Sequence, residues 1–270
     1  MTRIAKDITA NNDFKVHVFD ANEVDVYDNY KLYEAFESGW PVVIKNYKIE
    51  GLMPWYNSHI KARKRLILER NWNDETIDLF HKKHKQSSKA WTESFNNMFP
   101  HYKTSELILS HRYNTLVENK LHLDELDEQH TGNEQQMRMF VQLDKKRPRV
   151  LSFGPNLEQL YKSYKNEFNL DNIDKNDTHK FITEMRDRCV WNDKQWDQFH
   201  HPLHYITFDP GDIWFFNAQW ITHQIVFGTK LQCFECDILD DSLVHPEWSM
   251  KQRIQQLDNV LLDDIAGLAG

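Results

Sequence analysis

Phe208-Asp209-Pro210-Gly211-Asp212-Ile213-Trp214-Phe215-Phe216, running on to Trp220-Ile221-Thr222-His223-Gln224, is the stretch whose reading decides the fold. Pro210-Gly211-Asp212 has the composition of a tight turn, and the apolar run behind it has the character of a strand. The pattern predicts a strand that buries Trp214 and Phe216, a turn, and a further strand from His223 to Phe227. Well upstream lies Lys120-Leu121-His122-Leu123-Asp124. Read as a strand, it sends His122 and Asp124 to the same face. With His223 they make two imidazoles and one carboxylate, a donor set that can hold one divalent ion and leave coordination positions open.

The segments around these two stretches alternate in the same way. Val16–Phe19 and Pro41–Ile44 read as short strands, with a helix over Tyr30–Ser38 that Gly39 ends. Ile77–Phe99 places Phe80, Trp91, Phe95 and Phe99 at helical intervals before Pro100. From there short runs bounded by polar turns predict strands at Leu107–Leu109, His111–Tyr113, Lys120–Asp124, Met137–Leu143 and Arg149–Phe153. Leu157–Phe168 and Phe181–Trp196 read as helices. Strands return at Leu203–Phe208, Asp212–Phe216, His223–Phe227 and Leu231–Leu239, and Met250–Asp263 reads as a closing amphipathic helix.

This order is mainly β with flanking helices. A double-stranded β-helix, the jelly roll or cupin architecture, accommodates it. No repeat or Gly/Ser linker divides the 270 residues. The expectation is one domain over 1–270: a mixed part over about 1–105, a core over 106–240 with a helical insertion at 157–200, and a terminal helix over 241–270. A chain of this length buries an ample core.

Bulk properties narrow the partners. The formal net charge is −8, and an acidic balance argues against a nucleic-acid-binding module. Residues 1–12 hold no apolar segment of signal-peptide length, and no run approaches the ~18 apolar residues of a membrane span. A cytoplasmic setting is expected, with peripheral contact at a membrane left open and the oligomeric state undetermined. The three cysteines fit a reduced compartment. Cys233 and Cys236 have CxxC spacing inside a strand-like run and read as packed strand residues.

The donor set His122, Asp124 and His223 matches the facial triad of non-haem Fe(II) oxygenases. His200, His201 and His204 form a rival cluster beside Pro202, read as surface or pocket residues. Oxygenases of this kind draw electrons from 2-oxoglutarate, whose distal carboxylate needs a cation. Arg138, inside the apolar strand Met137–Val141, is the first candidate for it, Arg112 the second and Lys230 the third. Asp124 favours hydroxylation over halogenation, because halogenases of this fold commonly lack that carboxylate. Trp214, Phe216 and Trp220 read as core; Asn217, Gln219 and Gln142 are candidate pocket residues. The basic run Lys61–Arg65 reads as a solvated face or an anion contact.

The stretch Lys120–Glu125, the strand Met137–Val141, Ser110-His111-Arg112-Tyr113, and Phe208–Trp214 with Thr222-His223 together resemble the Fe(II)/2-oxoglutarate-dependent Kdo hydroxylases. Weaker similarity runs through Glu34–Gly39, Ser94–Tyr102 and the terminal helix. The resemblance implies a dioxygenase using Fe(II), 2-oxoglutarate and O2. His122, Asp124 and His223 would bind the metal, and Arg138 and Arg112 would serve 2-oxoglutarate or the substrate acid. The substrate would be a small polar molecule or a lipid-linked sugar such as the Kdo of lipopolysaccharide. This chain departs from the family in being more acidic and in a shorter stretch between Arg112 and His122. Two other readings stay open: a non-catalytic cupin-like metal-binding protein, and a 2-oxoglutarate oxygenase acting on an amino acid, protein or nucleic acid.

Overall fold

A computed structural model describes residues 3–6, 14–24, 29–52, 74–105, 107–112, 121–124, 132–190, 203–228 and 230–267. Two β-sheets carry the fold. The strands are β1 (Arg3–Lys6), β2 (His17–Asp20), β3 (Val42–Lys45), β4 (Ile108–Arg112), β5 (Glu134–Gln142), β6 (Arg149–Asn156), β7 (His204–Phe208), β8 (Ile213–Asn217), β9 (Ile221–Phe227) and β10 (Leu231–Leu239). The helices are α1 (Tyr30–Glu37), α2 (Asp74–Met98), α3 (Leu157–Tyr164), α4 (Thr178–Cys189) and α5 (Met250–Gly267). One sheet runs β1-β7-β6-β9 and the other β2-β3-β8-β5-β10-β4. Among the described residues every strand pairing is antiparallel except β2 with β3.

The larger sheet is apolar on both faces, which explains why β8 reads as a continuous apolar run rather than an alternating one. Ile213 and Phe215 point outward with Met137, Met139 and Phe234, and α1 and α2 cover them. Trp91 of α2 stacks on Phe234 at 5.4 Å and donates its indole N–H to Gln232 Oε1 at 3.0 Å. Trp214 and Phe216 point the other way and meet Phe140, Cys233, Leu151, Phe153 and Phe208 between the sheets. Cys233 and Cys236 therefore belong to different clusters on opposite faces and cannot share a ligand.

Two glycines set how closely the elements around the distal histidine approach. Gly39 ends α1 at φ +86°, where a Cβ would fall 2.6 Å from the Trp220 ring. Arg253 of α5 donates to the carbonyls of Glu37 and Ser38 and lies 5.0 Å over the Trp220 ring. Gly154 of β6 has no room for a side chain: a Cβ there would stand 2.6 Å from Thr222 Oγ1 and 2.8 Å from Leu121 Cδ2.

Most expected elements are present, with shifted ends. The structure differs in four places. Of the strand expected at Lys120–Asp124, the described residues 121–124 form none; only His122 makes a β-bridge, to His223. His223 is the third residue of β9, not its first. Leu107–Leu109 and His111–Tyr113 merge into β4, because β10 pairs continuously with Ile108–Arg112. β1 was not anticipated; it acquires its partner only through β7. Lys61–Arg65, Lys120, Glu125, His200 and His201 lie outside the described residues, as does the Arg112 side chain.

Candidate metal centre

The backbone brings the three donors together. His122 and His223 exchange both backbone hydrogen bonds, at 3.0 and 2.9 Å, and Asp124 N–H donates to Ala218 O at 2.9 Å. These bonds tie the upstream segment to the turn between β8 and β9 and to β9 itself. A narrow bridged pair places side chains on one face, and the imidazole centroids are 4.5 Å apart. Asp124 Oδ1 lies 3.4 Å from His122 Nε2 and 3.8 Å from His223 Nε2. Donor atoms of all three residues lie within 4.8 Å of one another.

The protonation states suit a cation. His223 Nδ1 sits 3.1 Å from the Ile221 carbonyl, a contact that an Nδ1–H satisfies and that leaves the Nε2 lone pair for a metal. Burial lowers the His223 pKa to about 3, and the neighbouring His122 adds to this while Asp124 opposes it, so the ring is neutral near pH 7. Burial works against ionising Asp124, but His223, His122 and Arg138 outweigh it and hold the carboxyl well below the usual range. Because His223 is itself neutral near pH 7, the permanent charge of Arg138 carries the lasting share. Two imidazoles and one carboxylate, convergent, with Asp124 and His223 buried and His122 partly exposed, fit a divalent first-row ion.

Arg138 completes the surroundings. On β5 it pairs in register with Phe216 of β8 and Glu235 of β10, so it faces the space between the sheets. Its Nε lies 2.7 Å from Asp124 Oδ2 and 3.4 Å from Glu235 Oε2, and donates to Gln136 Oε1 at 3.0 Å. These contacts use Nε, not the two terminal nitrogens of the guanidinium. Below this layer the interior is aromatic. Phe216 lies 4.8 Å from the His223 ring and 5.1 Å from Phe153, and Trp214 stacks on Phe208 at 4.1 Å.

Arg112 and Lys230 stand at the other end of the larger sheet. Arg112 is in register with Leu231, four residues along β10 from Glu235, or about 13 Å at ~3.3 Å per residue. Lys230 immediately precedes that strand. Gln142 and Arg149, 2% and 1% exposed, are buried at the same end. His204 is buried rather than on the surface: its ring stacks on Phe14 at 4.0 Å, and it lies two strands from His223 across Phe153. Asn217 donates to Gln135 at 3.3 Å, and Gln219 is fully buried. The sequence reading missed Glu235 and Gln136. Gln136 stands two residues before Arg138 on the same strand, so its shared face was readable; the pairing of Glu235 with Arg138 was not, since β5 and β10 are far apart in the chain.

No protein-family profile matches the sequence, and no curated protein matches it by sequence. Solved structures do match. The Kdo hydroxylase KdoO, a non-heme Fe(II) alphaketoglutarate-dependent dioxygenase, in complex with succinate and Fe(III), aligns with a TM-score of 0.63 at 17% identity, covering 92% of this chain and 96% of that one. Its complex with alphaketoglutarate and Fe(III) gives a TM-score of 0.62 at 18% identity over the same shares. Its cobalt(II) complex gives the same values. The family that the sequence resembles and the protein whose fold it matches are both Kdo hydroxylases. The chain has the fold of the Kdo hydroxylase KdoO, and within that fold His122, Asp124 and His223 converge as a candidate metal centre.

Proposed function

We propose that the chain is an Fe(II)- and 2-oxoglutarate-dependent dioxygenase that hydroxylates a small polar substrate, its two sheets forming a jelly roll within one domain. The carrying observation is the convergence of His122, Asp124 and His223 within 4.8 Å of one another. Iron bound there supplies the activation of dioxygen, with 2-oxoglutarate as the electron source. The residues of the chain do the rest. Ile221 O fixes the His223 tautomer, and the aromatic layer of Phe216 and Phe153 keeps water from the underside of the centre. Arg138 offers its terminal nitrogens to the distal carboxylate of 2-oxoglutarate. Its place beside Asp124 supports this role over Arg112 and Lys230, which stand at the far end of β10.

The substrate we infer is a sugar acid such as Kdo, in keeping with the likeness of fold to KdoO. No helix among the described residues is long and apolar enough to cross a membrane. A lipid-linked substrate would be met at the membrane surface. Anaerobic addition of Fe(II) and 2-oxoglutarate should produce a weak metal-to-ligand charge-transfer band, lost in His122→Ala. Oxygen should then yield succinate. No band, or a band that survives the substitution, sinks the metal assignment. Mass spectrometry of lipopolysaccharide made with and without the protein tests the sugar: no added oxygen atom removes Kdo as the substrate.

A further inference from the structure

We propose that Glu235 is a positioning residue for the metal centre, acting through Arg138 and touching neither the metal nor a ligand atom. The inference rests on reading His122, Asp124 and His223 as metal ligands. Arg138 stands between two carboxylates, with Nε 2.7 Å from Asp124 Oδ2 and 3.4 Å from Glu235 Oε2. Glu235 and Arg138 are directly paired across β10 and β5, so their side chains leave the same face as neighbours. Gln136, one step along that face, accepts the Nε–H at 3.0 Å. Three acceptors thus gather about one Nε–H: Gln136 takes its hydrogen bond, and the carboxylates of Asp124 and Glu235 flank it as charges, Asp124 the nearer.

The charges explain why this matters for a cation. Asp124, Arg138 and Glu235 together carry one net negative charge beside the two imidazoles. Without the Glu235 carboxylate, the sum falls to zero and the guanidinium is released to pair wholly with Asp124, where it competes with the metal for the same carboxylate. Both changes weaken metal binding. Groups that orient a ligand from outside the coordination sphere typically change metal affinity by about 10–100-fold when removed.

The test is Co(II) titration of the metal-free full-length protein, followed by calorimetry and visible absorption, for wild type, Glu235→Gln, Arg138→Gln and the double variant. Glu235→Gln should weaken Co(II) binding by about tenfold or more in the wild-type background. In the Arg138→Gln background it should have little further effect, because a residue acting through Arg138 loses its route. Unchanged affinity in Glu235→Gln, or losses that add in the double variant, overturns the proposal. Wild-type protein that binds no Co(II) overturns the metal-centre reading itself, and this inference with it. Thermal unfolding of the metal-free variants checks folding. Should Glu235→Gln fail to fold, Gln136→Leu removes the other acceptor of the same guanidinium and carries the test with the same expected loss and the same criterion.

Discussion

At the scale of single residues, charge and burial separate side chains that look alike in the sequence. Asp124 and Asp240 are both carboxylates with restricted exposure, yet they shift in opposite directions. Asp124 has Arg138 beside it and stays ionised. Burial and the nearby Glu134 push Asp240 up to about 6, against the weaker pull of Lys251 and Ser249. A folded-state value above the unfolded one means the folded protein binds the proton more tightly. That favours folding at low pH, and the advantage is lost as pH rises from about 4 through about 6. Asp240→Asn should therefore raise thermal stability at pH 7, with the two proteins converging below about pH 4. Parallel stability curves across that range would refute this. The candidate ligand types were legible: HxD, a distal histidine and an arginine inside an apolar strand could be picked out by residue chemistry. Their protonation states were not, because these depend on neighbours brought from elsewhere in the chain.

At the scale of elements, the candidate metal centre depends on how closely β6 approaches the two segments that carry the histidines. Gly154 permits that approach, with Thr222 Oγ1 and Leu121 Cδ2 each under 3.0 Å from where a Cβ would stand. Thr222 and Leu121 are the residues next to His223 and His122, so a side chain at 154 pushes on both histidine-bearing segments at once. Gly154→Ala should destabilise the protein by about 1–3 kcal/mol, the usual cost of overpacking, and should weaken Co(II) binding as well. Calorimetric melting and a cobalt titration check this; a variant indistinguishable from wild type in both would show that the segments yield without cost. The helices and most strands were readable from periodicity, since α2 and α3 bury regular stripes and β10 is bounded by turns. The strand expected at Lys120–Asp124 was not borne out, because the described part of that segment holds a single bridge to β9 rather than a ladder. Alternation of apolar and polar residues cannot distinguish a strand from a segment pinned at one point.

At the scale of the whole molecule, the three candidate donors come from two segments far apart in the chain, and only the folded state assembles them. A metal that binds the folded form alone stabilises it by mass action, about 2.7 kcal/mol at a hundredfold excess over Kd. For a chain of this size each kcal/mol shifts Tm by roughly 2–4 °C. Co(II) should raise the melting temperature of the metal-free protein accordingly, and His122→Ala should abolish the rise. A shift that persists in the variant would place the metal elsewhere. The sequence by itself determined the β-core with flanking helices, and it picked out His122, Asp124 and His223 as a candidate donor set with Arg138 as the favoured cation. These follow from local periodicity and from the chemistry of side chains, both of which are written in the order of residues. Only the tertiary structure decided that His122 and His223 form a bridged pair, that Asp124 hangs from Ala218, and that Glu235 stands behind Arg138. Those relations are set by strand register and by the close approach at Gly154. They arise from packing between segments far apart in the chain, which no local pattern records.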